Sequence, residues 1–200
     1  MRVDKNDLLL YAVTDRQWLG NASLAEQLEE AIQAGVTVVQ LREKELDFDA
    51  FVSLGKELQA VAKRHRVPFI INDAVDVALA LDADGVHVGQ SDMQAGDVRS
   101  RIGEGKILGV SAHSVEEALA AERNGADYLG VGAIYGTATK PDANTLSIET
   151  LQQICRAVSI PVVGIGGISE GNIPNLKGSG IDGVAVVSAI FAQPDITAAV

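Results

Sequence analysis

The sequence predicts an α/β protein folded as a single (β/α)8 TIM barrel over residues 1–200. Short β-branched runs alternate with amphipathic helical stretches along the chain, which is typical of a parallel sheet with crossover helices. Eight such units fit into 200 residues, near the lower size limit of this barrel. Polar side chains gather directly after the strand runs, at the barrel end that carries functional sites. A doubly wound open sheet is the alternative, although it usually needs fewer units.

Composition excludes several classes of function. The formal net charge is -11 at pH 7 and the pI is about 4.6, which argues against binding to nucleic acid or anionic membrane surfaces. No apolar run approaches the length of a bilayer span, and no basic-then-apolar secretion signal is visible. Cys155 is the only cysteine, so an intrachain disulfide is impossible. We therefore expect a cytoplasmic protein that acts on small molecules.

Cap and turn residues delimit the elements in chain order. Ser23, Asp47 and Ser114 are predicted helix N-caps, and Gly35 ends the first helix. The predicted strands are 8–13, 67–71, 85–88, 107–110, 128–131, 161–165 and 182–187, together with a second strand that begins at residue 36. The predicted helical stretches are 24–34, 48–65, 75–81, 97–101, 115–124, 148–158 and 170–177. Because Pro194 interrupts residues 192–200, the last helix is expected to be short, as if truncated.

The second strand run carries an unusual concentration of positive charge. Side chains alternate between the two faces of a strand. One face therefore presents two valines, an amide and two cations, which are Val36, Val38, Gln40, Arg42 and Lys44. Val39 and Leu41 face the other way. In a chain of net charge -11 this basic spot requires an explanation. A solvated strand end with a surface ion pair to Glu43 or Glu45 is the alternative to a binding role.

Two carboxylates follow neighbouring strands, at Asp73 and Asp92. Magnesium prefers one or two carboxylates together with phosphate oxygens and water. The pair therefore predicts a magnesium site, with general acid–base chemistry or loop capping as alternatives. A zinc site is not expected, because one cysteine and three scattered histidines lack ligand spacing.

Phosphate binding is predicted at the last two strand ends. Phosphate often lies after the seventh and eighth strands of such barrels, and Gly166-Gly167 would let the backbone approach it closely. Ser188 follows the last strand, although the glycines would also serve a plain chain turn. The long loop after the sixth strand adds two hydroxyls and an ammonium over residues 137–140, unless it is only a surface loop.

Two further polar positions point towards the same end. His87 alternates with Val86 and Val88, so it faces inward, either as a packed and hydrogen-bonded histidine or as part of a site. Ser111 follows the fifth strand. It lacks the Gly-x-Ser-x-Gly turn of a serine nucleophile, so we expect binding rather than covalent chemistry there.

These residues together resemble the thiamine-phosphate synthase family, also called thiamine-phosphate pyrophosphorylases. The shared segments occur in order along nearly the whole chain, at 40–44, 72–73, 85–92, 111, 137–141, 166–168 and 187–188. The resemblance implies a TIM-barrel transferase of thiamine biosynthesis. Such an enzyme couples 4-amino-2-methyl-5-hydroxymethylpyrimidine diphosphate to 4-methyl-5-(2-phosphoethyl)thiazole by a dissociative substitution with Mg²⁺, and releases diphosphate. The resemblance also suggests a homo-oligomer.

The resemblance implies roles by position. The pyrimidine diphosphate site would comprise Gln40, Leu41, Arg42, Glu43, Lys44, Asn72, Ser111 and Lys140. The thiazole phosphate site would comprise Thr137, Ala138, Thr139, Gly167, Val187 and Ser188. Asp73 and Asp92 would hold magnesium, and the catalytic set would be Arg42, Lys44, Ser111 and Lys140. Gly136 departs from the family, which often carries proline there, but this difference removes no ligand.

Three other functions fit parts of the pattern. A thiazole tautomerase-type isomerase on the same barrel would need a general base and little metal. A sugar-phosphate epimerase would not use so many basic contacts. A non-catalytic phosphate-ligand sensor could keep Gly166, Gly167 and Ser188, but would not need Asp73 and Asp92 together.

Overall fold

A computed structural model describes residues 3–136 and 145–200, and within these ranges eight parallel strands close into a barrel in sequential order. The strands are β1 Leu10–Val13, β2 Val38–Leu41, β3 Phe69–Asn72, β4 Gly85–Val88, β5 Ile107–Ala112, β6 Tyr128–Val131, β7 Val162–Ile165 and β8 Gly183–Val186. Leu10 pairs with Val184, so β8 returns to β1 and leaves no open edge. This closure confirms the predicted (β/α)8 barrel and excludes the doubly wound open sheet.

Helices connect the strands around the outside of the barrel. They are α1 Leu24–Ala34, α2 Phe48–His65, α3 Val75–Leu81, α4 Ala95–Ile102, α5 Val115–Arg123, α6 Ile148–Ala157, α7 Ser188–Phe191 and α8 Ile196–Ala199. Single 3₁₀ turns occupy Lys5–Leu8, Arg16–Trp18 and Ile173–Leu176. None of the helices in the described ranges combines the length and the apolar character that crossing a bilayer requires.

The predicted caps define the helix ends. The Ser23 hydroxyl accepts a hydrogen bond from the Glu26 backbone N–H, and the Glu26 carboxylate accepts one from Ser23 in return, which forms a capping box. Asp47 and Ser114 accept in the same way at the starts of α2 and α5. Gly35 ends α1 with φ 135°, a conformation that glycine adopts without steric penalty.

Most predicted elements differ from the structure by one or two residues at their ends, and three regions call for comment. β1 begins at Leu10 rather than at residue 8, because 5–8 form a 3₁₀ turn that buries Leu8. The stretch 170–177 is helical only as one 3₁₀ turn, in which Pro174 lies in the first turn. After β8 the chain forms two one-turn helices, and Thr197 of α8 hydrogen-bonds to Glu30 of α1.

The core has two layers, which follow from the alternation of side chains along each strand. The outer layer packs strands against helices and contains Val39, Leu41 and Val36. The inner layer fills the barrel and contains Val38 and Tyr11. The prediction that Val36 shares a face with Val38 is therefore wrong. β2 begins only at Val38, and the Val36 N–H is bonded to the Ala31 carbonyl of α1 instead.

Candidate active site

A cavity of about 580 Å³ opens at the C-terminal ends of the strands. This volume lies within the range of small-molecule sites. It is lined by ten of the predicted residues, namely Gln40, Arg42, Lys44, Asn72, Asp73, Asp92, Ser111, Gly167, Val187 and Ser188. The parallel barrel explains the convergence, because all eight strands end at the same rim. The predicted Thr137, Ala138, Thr139 and Lys140 lie outside the described residues.

Two predicted residues on β2 and its loop turn their side chains away from the cavity. Leu41 is fully buried in the outer layer between the barrel and its helices. Glu43 is also enclosed and forms an ion pair with Arg16, whose Nε lies 2.8 Å from Glu43 Oε1. Leu41 has the opposite parity to Gln40 within β2, so strand alternation accounts for its orientation.

Arg42 is held at the rim by contacts from the β1 end. Its backbone N–H donates to Thr14 Oγ1 at 3.2 Å, and one guanidinium nitrogen lies 3.8 Å from Asp15 Oδ2. Of the two carboxylates considered as surface ion-pair partners of this strand end, Glu43 pairs with Arg16 instead. Planar guanidinium groups suit phosphate oxygens, so Arg42 at the rim is suited to bind one.

The carboxylates of Asp73 and Asp92 lie side by side. Asp73 has φ 59°, in the left-handed region, and its N–H donates to the His87 carbonyl across β4. Asp92 Oδ2 accepts from the Gly89 N–H at 2.7 Å, which fixes the loop after β4. Burial and the charge of Asp92 raise the pKa of Asp73 to about 6, against the opposing effects of Asn72 and Arg42. The pair therefore carries a repulsion that a cation would relieve.

This donor set fits one kind of metal ion. Within 3–136 and 145–200, no group of three or more histidine, cysteine, aspartate or glutamate side chains is arranged to hold a metal. Two adjacent carboxylates do suit a hard divalent cation that completes its shell with water and phosphate oxygens.

Successive glycines form the wall after β7. Gly166 and Gly167 have φ 97° and 63°, which favours glycine over any other residue. A Cβ at Gly166 would lie 2.6 Å from Ala133 Cα, and one at Gly167 would lie 2.5 Å from the Gly136 carbonyl oxygen. The Gly167 carbonyl accepts from Asn172 Nδ2 at 2.8 Å, which holds the turn. The backbone can therefore border the cavity with no side chain between it and a ligand.

The cavity floor holds a row of hydrogen bonds that the sequence did not reveal. Gln40 Nε2 donates to the Tyr11 hydroxyl at 2.8 Å, and the Tyr11 and Tyr128 hydroxyls are 2.7 Å apart. His87 lies 3.0 Å from the Tyr128 hydroxyl through Nδ1 and 3.0 Å from Ser111 Oγ through Nε2. We call Tyr11, Tyr128 and His87 the relay.

The relay is uncharged. Burial raises the pKa of both Tyr11 and Tyr128 above the usual tyrosine value, so each hydroxyl keeps its proton. Burial lowers the pKa of His87 to about 4, and the charge of Asp92 opposes this only in part. Both interpretations of His87 hold together, since it is hydrogen-bonded in the interior and also lines the cavity. In the sequence, the one indication of such a pairing is that each tyrosine places a hydroxyl inside an apolar strand run, where it needs a buried partner.

Comparison with known proteins assigns the chain to a family. A family model described as thiamine monophosphate synthase matches residues 10–190. The thiamine-phosphate synthase of Clostridium tetani is 52% identical over 190 residues, covering 95% of this chain and 91% of that protein. That of Ruminiclostridium cellulolyticum is 55% identical over 192 residues, with coverages of 96% and 91%. A solved thiamine phosphate pyrophosphorylase from Pyrococcus furiosus is 39% identical, covers 98% of this chain and 93% of its own, and superposes with a TM-score of 0.89. The chain therefore belongs to the thiamine monophosphate synthase family.

Proposed function

We propose that the protein is a thiamine-phosphate synthase, a transferase that joins a pyrimidine diphosphate to a thiazole phosphate and releases diphosphate. The observation that carries this proposal is the meeting of opposite charges in one cavity. Arg42 and Lys44 approach from β2, and the Asp73–Asp92 pair approaches from β3 and β4. Cations and a carboxylate pair at one rim are what a departing diphosphate and its metal counter-ion require.

We assign the two substrates to opposite sides of the cavity. On the β2–β5 side, Gln40, the backbone and cations of 41–44, Asn72 and Ser111 would bind 4-amino-2-methyl-5-hydroxymethylpyrimidine diphosphate. On the β7–β8 side, Gly167, Val187 and Ser188 would bind the phosphate of 4-methyl-5-(2-phosphoethyl)thiazole. The assignments of Thr137–Thr139 to the thiazole phosphate and of Lys140 to the diphosphate rest on the sequence alone.

Asp73 and Asp92 would hold Mg²⁺ as its two protein ligands. When bound, the ion supplies positive charge to the diphosphate oxygens and completes its shell with them and with water. The support is the donor chemistry of the site, because two carboxylates lie together there and burial, with the charge of Asp92, raises the pKa of Asp73.

The reaction would then need positioning and charge neutralisation rather than a strong base. The bond between the pyrimidine methylene carbon and the diphosphate oxygen breaks, and its electron pair leaves with the diphosphate. Arg42, Lys44 and Lys140 offset the charge that builds up there. The 4-aminopyrimidine ring stabilises the resulting cation. The thiazole nitrogen, held in line by the β7–β8 side, donates its lone pair to that carbon and forms the new bond.

The rival functions account for fewer of these features. A thiazole tautomerase-type isomerase would leave the carboxylate pair and the basic cluster without a purpose. A phosphate-ligand sensor would explain the glycine wall at Gly166 and Gly167 but not the Asp73–Asp92 pair. The relatives that are more than half identical over nearly the whole chain are synthases by name, which favours the synthase.

We also place the enzyme in the cytoplasm and expect it to self-associate. The cytoplasmic assignment rests on small charged substrates and a single cysteine. Self-association rests on the family resemblance. Sedimentation velocity measures it directly, and a monomer at all concentrations would contradict it.

Mixing both substrates with Mg²⁺ and following diphosphate tests the function. We expect stoichiometric formation of thiamine phosphate and diphosphate, and none when the thiazole phosphate or the metal is left out over the same time. Binding of either substrate without diphosphate release would instead identify a sensor. Conversion of a thiazole isomer without any need for the pyrimidine diphosphate would identify an isomerase.

A further inference from the structure

We infer that the relay fixes the direction of the hydrogen bonds at both of its ends, so that Ser111 presents its hydroxyl proton to the first substrate and Gln40 presents its amide oxygen. Tyr11, Tyr128 and His87 are then positioning residues, since they act through Ser111 and Gln40. The inference rests on the proposed function and adds residues to which the function itself assigns no role.

The relay links two substrate-binding residues that lie on separate strands. A chain of four hydrogen bonds runs from Gln40 on β2 to Ser111 on β5. Between them it passes through the three relay residues, which are Tyr11 on β1, Tyr128 on β6 and His87 on β4. All four hydrogen-bond lengths lie between 2.7 and 3.0 Å. Two strand ends that are far apart in the sequence are thus connected through the barrel interior.

Counting protons leaves only two arrangements. Each of the four links needs one proton, and each tyrosine hydroxyl and the neutral imidazole supplies one. If Gln40 Nε2 donates, Tyr11 donates to Tyr128, Tyr128 donates to His87 Nδ1, and His87 Nε2 donates to Ser111. The Ser111 proton is then free to point into the cavity. In the reverse arrangement, the Gln40 amide oxygen accepts from Tyr11 and Nε2 faces the cavity. Ser111 then donates its hydroxyl proton to His87 Nε2.

The contacts at the Gln40 end favour the first arrangement. Gln40 Nε2 is the atom bonded to Tyr11, so the amide oxygen is the part of the group left for a ligand. A doubly protonated His87 is incompatible with this arrangement, because it would donate to Tyr128 and leave the Tyr11 proton without an acceptor. Diphosphate oxygens and ring nitrogens only accept hydrogen bonds, and a donating Ser111 matches either of them.

Two glycines, Gly109 and Gly130, leave room for the relay inside the barrel. A Cβ at Gly109 would lie 2.2 Å from Tyr128 Cζ and 2.5 Å from His87 Nδ1. A Cβ at Gly130 would lie 2.9 Å from His87 Cε1. Glycine inside a strand costs stability relative to residues with side chains. β5 and β6 thus carry glycine at the two positions where any other residue would displace the relay.

The decisive variant is Tyr128→Phe, which removes one hydroxyl from the middle of the relay and keeps the ring. We expect kcat/KM for the pyrimidine diphosphate to fall about tenfold, the size of one hydrogen bond to a substrate group. The KM for the thiazole phosphate should stay unchanged. The matched control is Thr37→Val, which removes a half-buried hydroxyl bonded to Leu10 at the other end of the barrel. It should leave both kinetic constants as in the wild type.

A double-mutant cycle separates positioning from a general structural effect. If the relay acts through Ser111, the loss caused by Tyr128→Phe should be smaller in a Ser111→Ala background than in the wild type, and any remaining loss should come from Gln40. Multiplicative losses, or an equal rise in both KM values, would overturn the inference. If Tyr128→Phe does not fold, Tyr11→Phe removes the links to both Gln40 and Tyr128, and it should also lower kcat/KM for the pyrimidine diphosphate without changing the KM for the thiazole phosphate. Diphosphate release by the wild type in the same assay tests the proposed function separately, since its absence would reject that function whatever the variants do.

Discussion

The rim and the floor of the cavity prepare for a ligand in different ways. The charged rim consists of Arg42, Lys44, Asp73 and Asp92, and the floor consists of the relay. At the rim, the Asp73 and Asp92 carboxylates lie together, and burial with the charge of Asp92 raises the pKa of Asp73, so this pair favours a ligand that brings positive charge. On the floor, every relay group is neutral and already has hydrogen-bond partners. The rim can therefore bind and neutralise, whereas the floor can only orient.

Removing one rim carboxylate should have the largest effect. Asp92→Asn keeps the size of the side chain but removes half of the anionic pair, and we expect turnover to fall roughly 100-fold or more. Without metal, the variant should melt at a higher temperature than the wild type, because the repulsion on Asp73 is gone. Mg²⁺ should no longer raise its melting temperature.

The control for this variant is Asp76→Asn. Asp76 is exposed and pairs with Arg101 beside the rim without lining the cavity, so its loss should change turnover and the response to Mg²⁺ far less than the loss of Asp92 does. Wild-type turnover of Asp92→Asn at low Mg²⁺ would refute the role of the pair.

Removing the rim cation on β2 comes next. Arg42→Ala should lower kcat/KM for the pyrimidine diphosphate roughly 100-fold, and Arg42→Lys should recover part of the loss because it keeps the charge but not the planar donors. Arg42 also lowers the pKa of Asp73, so this pKa should rise further in Arg42→Ala. As the pH is lowered, the variant should therefore lose activity at a higher pH than the wild type. Steady-state kinetics against pH measure both effects. Arg64→Ala is the matched control, because Arg64 pairs with Glu29 in the last turn of α2, and an equal loss there would point to net charge rather than position.

The glycine wall should give a smaller and selective effect. Gly167→Ala puts a Cβ 2.5 Å from the Gly136 carbonyl oxygen and should raise the KM for the thiazole phosphate about tenfold. Gly103→Ala is matched to it, because Gly103 has φ 72° and open space around it. Both variants should lose on the order of 1 kcal/mol or more of unfolding free energy because both positions have positive φ, and Gly167→Ala should lose more because its Cβ also meets a backbone oxygen. Only Gly167→Ala should change kinetics, and an equal change in Gly103→Ala would contradict the wall's role.

The smallest effect concerns pH. The folded state holds the Asp73 proton more tightly than the unfolded chain, whose aspartate titrates near 3.8. This group therefore stabilises the metal-free fold fully below that pH, and the contribution is lost as pH rises through about 6. Mg²⁺ affinity should increase over the same window, because the metal competes with that proton. The melting temperature with and without Mg²⁺ measures both, and identical pH profiles for the wild type and Asp92→Asn would reject the coupling.

The rim could be predicted from the sequence and the relay could not, for a physical reason. Charged groups such as Arg42 and Asp73 at strand ends are recognisable because burial without a partner is costly. Tyr11 and Tyr128 are indistinguishable from core aromatics in a strand pattern, and their pairing exists only because the barrel brings β1 and β6 together. Leu41 is predicted as a site residue because it belongs to the continuous motif 40–44, but its side chain packs in the outer layer and faces away from the cavity.

The most direct test of the account is a crystal structure with Mg²⁺ and the pyrimidine diphosphate, prepared without the thiazole phosphate. We predict that the diphosphate lies between Arg42 and an ion bound by Asp73 and Asp92, with Ser111 Oγ about 3 Å from an acceptor atom of the substrate. A diphosphate bound elsewhere, or an ion that does not touch both aspartates, would contradict it.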